Sequence, residues 1–129
     1  MAHPNDMVSV RYMVDDVEAA VAFYTKTLGF EVLTSFPPAF ADVARGNLRL
    51  LLSGPKSSAG RPMPDGETPV PGGWNRIHLI VDDIAAEVAR LKAAGAQFRN
   101  EILSGPGGQQ ILLLDPAGNV VELFQPANR

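Results

Sequence analysis

The chain repeats itself once. Shifted by 67 residues, Val10–Tyr24 falls on Ile77–Leu91 without a gap. Six of those fifteen positions are identical, including the run Val14-Asp15-Asp16 over Val81-Asp82-Asp83. Further on, Gly46-Asn47 falls on Gly118-Asn119 at a slightly longer offset. A solenoid stacks an array of short units, each leaning on its neighbours. Two copies are too few for that, so the repeat predicts a duplicated α+β unit folded into one body.

Each unit opens with a strand. Ser9 to Val14 and Arg76 to Val81 alternate, with Val10, Tyr12 and Val14 on one face and Ile77, Leu79 and Val81 on its counterpart. Those apolar faces are expected to pack on a helix. The opposite faces carry Ser9, Arg11 and Met13, and Arg76, His78 and Ile80, a mixture suited to something other than a dry core. Asp15-Asp16 and Asp82-Asp83 supply capping oxygens and favourable charge at a helix start. Val17, Val21, Tyr24 and Leu28 then recur at helical spacing up to Gly29, and Ile84, Val88 and Leu91 do so up to Gly95. Three strands should follow each helix, near Phe30–Phe36, Phe40–Arg45 and Leu48–Ser53, then near Phe98–Ser104, Gln109–Leu114 and Val120–Gln125. The turns Gly105-Pro106-Gly107-Gly108 and Pro116-Ala117-Gly118-Asn119 are well marked.

The expected fold is therefore α+β: two βαβββ modules forming a curved eight-stranded mixed sheet around a cleft. One domain, 1–129, should divide into a first module at 7–53, a linker at 54–75 and a second module at 76–126. Between Ser53 and Asn75, 10 of 23 residues are Gly or Pro. A connection that long is either a plain crossover or a lid over a ligand.

Composition narrows the functions. Eleven Lys and Arg against fourteen Asp and Glu give a net charge of −3, with no basic footprint for nucleic acid. The absence of Cys excludes disulfides, Cys-ligated zinc, iron–sulfur clusters and thiol chemistry. No apolar run approaches the ~18 residues of a membrane span. Met1 to Met7 lacks the features of a secretory signal, so a cytoplasmic location is expected. There is no G-x-S-x-G, P-loop or G-x-G-x-x-G fingerprint.

The pattern resembles the vicinal oxygen chelate superfamily, which includes glyoxalase I, extradiol dioxygenases, fosfomycin-resistance enzymes and bleomycin-resistance proteins. The resemblance rests on Val14-Asp15-Asp16, Ala22-Phe23-Tyr24, Leu28-Gly29-Phe30, Leu91-Lys92-Ala93-Ala94-Gly95 and Asp115-Pro116-Ala117-Gly118-Asn119 followed by Glu122. It runs from Val8 to Pro126. Metal-using members resemble one another in ligand placement: a first-strand residue seven before the capping Asp, and a last-strand Glu four after the turn Gly. Carried over, those positions are Ser9, Leu50, Arg76 and Glu122. Only Glu122 is an ordinary ligand, and Arg76 is a permanent cation that repels a metal. His78, two residues beyond Arg76, shares its face. His3 is the only other histidine.

Two function classes follow. One is a small-molecule binding protein without a cofactor, with Arg76 as counter-charge to Glu122 and Arg11 nearby, favouring an anionic or electron-rich, partly aromatic ligand. The other is an enzyme, a glyoxalase-like lyase, isomerase or dioxygenase, using His78 and Glu122 around one divalent metal, or a metal-free variant using Arg76, His78 and Glu122 for acid–base work. The expected ligand-binding residues are Ser9, Arg11, Leu50, Trp74, Arg76, His78, Glu122 and Phe124. Phe36 and Phe40 belong near the rim. Open sheets leave edges that need covering, and the resemblance implies a homodimer.

Overall fold

The computed structural model describes residues 7–128. The first half runs β1 (Val8–Met13), α1 (Val17–Thr27), β2 (Glu31–Phe36), β3 (Phe40–Arg45) and β4 (Leu48–Ser53). The second runs β5 (Ile77–Ile80), α2 (Ile84–Ala93), β6 (Gln97–Phe98), β7 (Leu103–Gly105), β8 (Gly108–Leu114) and β9 (Val120–Pro126). Each half makes its own mixed sheet, β1-β4-β3-β2 and β5-β9-β8-β6, with β7 also on β8. In both, the first strand lies parallel to the last and the others are antiparallel. His3 lies outside the described residues.

The helices start where the acidic pairs set them. The Asp16 side chain accepts from the Ala19 N–H and that of Asp83 from the Ala86 N–H, each at 3.1 Å. Both helices turn their apolar stripe onto a sheet: Val17, Ala20 and Tyr24 from α1, Ile84, Val88 and Leu91 from α2. Gly29 and Gly95 follow the helix ends with φ of 74° and 89°, a conformation that costs glycine nothing. Among the described residues, no helix is long and apolar enough to cross a membrane.

The expected strand at Phe98–Ser104 breaks into β6 and β7. Arg99 N–H still reaches the Leu112 carbonyl at 2.9 Å, but the Asn100 side-chain oxygen takes the Leu112 N–H at 3.0 Å. A side chain thus replaces a ladder carbonyl, and the main chain leaves the sheet until Leu103.

The modules meet through side chains. The Tyr12 hydroxyl accepts from the Ile77 N–H at 2.8 Å and donates to the Val120 carbonyl at 2.7 Å. The turn after β8 clasps the first module: Asp115 accepts from the Tyr24 hydroxyl at 2.9 Å, and Asn119 donates to the Met13 carbonyl at 2.7 Å. Burial raises both tyrosine pKa values, that of Tyr12 to about 12. At Tyr24 the neighbouring Asp115 adds to the rise. The linker is tied at both ends. Gly54 and Gly60 pack so closely that a Cβ would meet the Pro38 carbonyl at 2.7 Å and the Gly54 carbonyl at 2.6 Å. Near its end, Gly72 N–H donates to Asn119 at 2.8 Å.

Candidate functional site

One face of each sheet packs on its helix and the other is open. Registers fix which residues share the open face, because directly paired residues point the same way. On the second sheet His78 pairs with Glu122, and Glu122 with Leu112. On the first, Arg11 pairs with Leu51 and Ser9 with Arg49.

That register corrects the position of Leu50. It pairs with Val10, is fully buried and lies in the core with Leu52. The β3–β4 hairpin turns in two residues, since Arg45 pairs with Leu48, whereas Leu114 pairs with Val120 across a longer loop. Counting from the turn glycine therefore slips by one, and a slip of one moves a side chain to the opposite face. The counterpart of Glu122 is Leu51, also without a donor atom.

A groove of about 490 Å³ separates β1 from β5, lined in part by Arg11, Tyr12, Arg76 and His78. Inside the second module, the expected Arg76–Glu122 pair is present, Nε to Oε1 at 3.0 Å. The Glu122 side chain is 8% exposed and that of Arg76 31%. His78 flanks the other carboxylate oxygen, Nε2 to Oε2 at 3.5 Å, and its ring lies 4.9 Å from that of Phe124. Arg11 does not join this cluster; its Nη1 donates to the buried Ser53 hydroxyl at 2.8 Å. Nor does Ser9, whose hydroxyl accepts from Arg49 Nε at 2.9 Å. Ser9, Leu50, Arg76 and Glu122 therefore do not converge as a set. The Phe36 and Phe40 rings meet in a tilted pair with centres 5.4 Å apart on neighbouring strands.

Trp74 lies before the first residue of β5, so the strand does not carry it. Arg76 Nη1 donates to its carbonyl at 3.3 Å, and the Arg99 guanidinium sits 4.4 Å from the centre of its ring. Arg99 and Arg49 are absent from the sequence-based set. Arg49 was legible in principle from strand alternation, once the β4 register is known. Arg99 depends on the Asn100 break, which has no strand-pattern signal.

The comparisons with known proteins agree with this geometry. The model of the Glyoxalase/Bleomycin resistance protein/Dioxygenase superfamily matches residues 6–123. The chain belongs to that superfamily. Among solved structures it is similar to TnmS3, an antibiotic binding protein from Streptomyces sp. CB03234, at 29% identity and a TM-score of 0.72, covering 98% of each chain. It is similar to a lactoylglutathione lyase from Agrobacterium tumefaciens at 26% identity and a TM-score of 0.70, covering 96% of each. A superfamily member from Sphaerobacter thermophilus DSM 20745 matches at 29% identity and a TM-score of 0.75, covering 97% of this chain and 98% of the other. No curated protein matches significantly.

The superfamily includes metal-using members, so the donor set matters. A catalytic divalent ion generally takes about three protein nitrogen or oxygen ligands. Among the described residues, no three His, Asp or Glu side chains gather in that way. Glu122 and His78 are two donors, and the guanidinium of Arg76 already occupies one oxygen of the carboxylate. These residues do not fit a divalent metal.

Proposed function

We propose that this member of the superfamily is a small-molecule binding protein that works without a metal, holding an anionic or electron-rich, partly aromatic ligand between its modules. The observation that carries this reading is the Arg76–Glu122 contact at 3.0 Å. It puts a permanent cation against the one carboxylate that the superfamily resemblance would assign to a metal. Arg11 on the groove wall adds positive charge, and the tilted His78–Phe124 pair adds aromatic area. A few charged groups on an apolar wall are the ordinary make-up of a small-molecule site. TnmS3, named as an antibiotic binding protein, supports the same class.

The test has two parts. Protein purified without chelator should carry no near-stoichiometric nickel, zinc, iron or manganese, and adding these ions should leave its melting temperature unchanged. Calorimetry should show naphthoate, an aromatic anion, binding with one site per chain. Stoichiometric metal that disappears in Glu122→Gln would overturn the proposal in favour of a metal-dependent lyase, isomerase or dioxygenase using His78 and Glu122. We further propose a homodimer, which covers open sheet edges. Light scattering at micromolar concentration giving the mass of a single chain, 13.8 kDa, would refute it.

A further inference from the structure

The break between β6 and β7 has a consequence for the open face of the second sheet. Phe98 pairs with Leu113 and packs against the core. The next residue, Arg99, therefore projects to the other face, beside Leu112. Registers then make one row: Arg99 just beyond β6, Leu112 on β8, Glu122 on β9 and His78 on β5. Trp74 approaches this row from the β5 edge and Arg99 from the β6 edge. Their side chains meet over the face, guanidinium carbon to ring centre at 4.4 Å.

Three features give this contact the character of a recognition element. Trp74 is 63% exposed although Arg99 covers part of its indole, so aromatic surface remains available. Among the described residues Arg99 makes no ion pair; its neighbour Glu101 is instead 3.9 Å from Lys92. The contact with the indole is a cation–π attraction that takes up none of the guanidinium N–H groups as a hydrogen bond to an acceptor, and a guanidinium fork suits bidentate pairing with a carboxylate. In addition, Arg76 both holds the Trp74 carbonyl at 3.3 Å and pairs with Glu122. The platform is therefore tied directly to the ion pair at the centre of the row.

We propose that Trp74 and Arg99 select the ligand of this site: a planar aromatic carrying an anionic group, its ring on the indole and its anion on the Arg99 fork. This rests on the binding-protein reading above and names the residues that set its specificity.

The experiment compares naphthoate with naphthylmethanol, its uncharged analogue, by calorimetry on the full chain. Wild type should prefer naphthoate. Arg99→Ala should weaken naphthoate roughly tenfold, the scale of one charge-assisted contact, and change naphthylmethanol by less than about twofold. Arg99→Lys should recover only part of the loss, because an ammonium lacks the planar fork. Trp74→Leu should weaken both probes. Both side chains are exposed, so circular dichroism and urea midpoints should stay at wild-type values. Equal weakening of both probes by Arg99→Ala, or no weakening of either, overturns the proposal. If Arg76→Met weakens naphthoate and Arg99→Ala does not, the site binds ligand without Arg99, and only this inference fails. If wild type binds neither probe, the binding-protein reading fails with it.

Discussion

Replacing Tyr12 by Phe removes one oxygen and leaves two main-chain groups without partners. The Tyr12 hydroxyl accepts from the Ile77 N–H at 2.8 Å and donates to the Val120 carbonyl at 2.7 Å, and both bonds are buried. Tyr12 itself is 7% exposed, so Phe keeps the apolar packing and isolates the hydroxyl's contribution. An unsatisfied buried donor or acceptor costs about 1–3 kcal/mol. Two of them set the expected loss at about 2–6 kcal/mol, a large part of the roughly 5–15 kcal/mol typical of a folded domain. Urea denaturation followed by circular dichroism should show the midpoint falling by roughly 1–3 M at an unchanged slope of about 2 kcal/mol/M. Tyr24→Phe is the internal control. It removes one hydroxyl from Asp115, which keeps bonds from the Ala117 and Asn119 N–H groups and the Asn119 amide. Its cost should be nearer 1 kcal/mol. A Tyr12→Phe loss below about 0.5 kcal/mol would refute the reasoning, because the hydroxyl could not then be satisfying both buried groups where the modules meet.

Alkaline pH should unfold the protein through the same residues. Tyr12 holds its proton to about pH 12 in the fold because it is buried, whereas an unfolded tyrosine loses it near 10. Between those values the folded state binds more protons, so stability falls as pH rises; ultraviolet titration should show tyrosinate appearing together with the loss of circular dichroism, not before it. Arg76→Met should cost roughly 2 kcal/mol, less than the 3–5 of a fully buried pair because Arg76 is partly exposed. Combining it with Glu122→Leu should restore much of that, and additive single effects in a double-mutant cycle would count against the pairing. Asp115→Ala should cost more than about 3 kcal/mol, since it strips acceptors from the Tyr24 hydroxyl, two N–H groups and the Asn119 amide at once. A urea midpoint close to wild type would show that the turn does not hold the modules together.

The parts legible in the sequence were those written in local chemistry. The acidic pairs before each helix cap it through their second member, and the glycines after each helix take the positive φ that ends it. Val10, Tyr12 and Val14 and their counterparts face the core because a two-residue alternation cannot be satisfied any other way. Arg76 and Glu122 met as expected because Arg76 directly precedes β5, which is paired in register with the β9 strand that carries Glu122. The turn Asp115–Asn119 was legible only as a turn. Its role as a clasp on Tyr24, Met13 and Gly72 needs three distant partners that no local pattern announces.

The site was harder to read because its errors arise from strand register. Leu50 entered the expected set through a count from Gly46 that ignored one hairpin being tighter than the other. In a helix such a slip would rotate a side chain by a little over a quarter turn; in a strand it exchanges core for open face. The same sensitivity hid Arg99. Read as continuous, the strand from Phe98 to Ser104 offers Arg99 as one outward residue among several. Asn100 changes that by giving its side-chain oxygen to the Leu112 N–H, which ends the ladder directly after Arg99. This yields a sharp consequence. Asn100→Ala removes the substitute acceptor, so the main chain must either pair Leu112 through a carbonyl, continuing the strand, or leave that N–H to solvent. Either result moves the backbone that positions Arg99. Naphthoate binding should therefore weaken in Asn100→Ala although Asn100 itself touches no ligand, and it should not weaken further when Arg99→Ala is added. Additive losses would show that Arg99 is held by something other than the break in the strand.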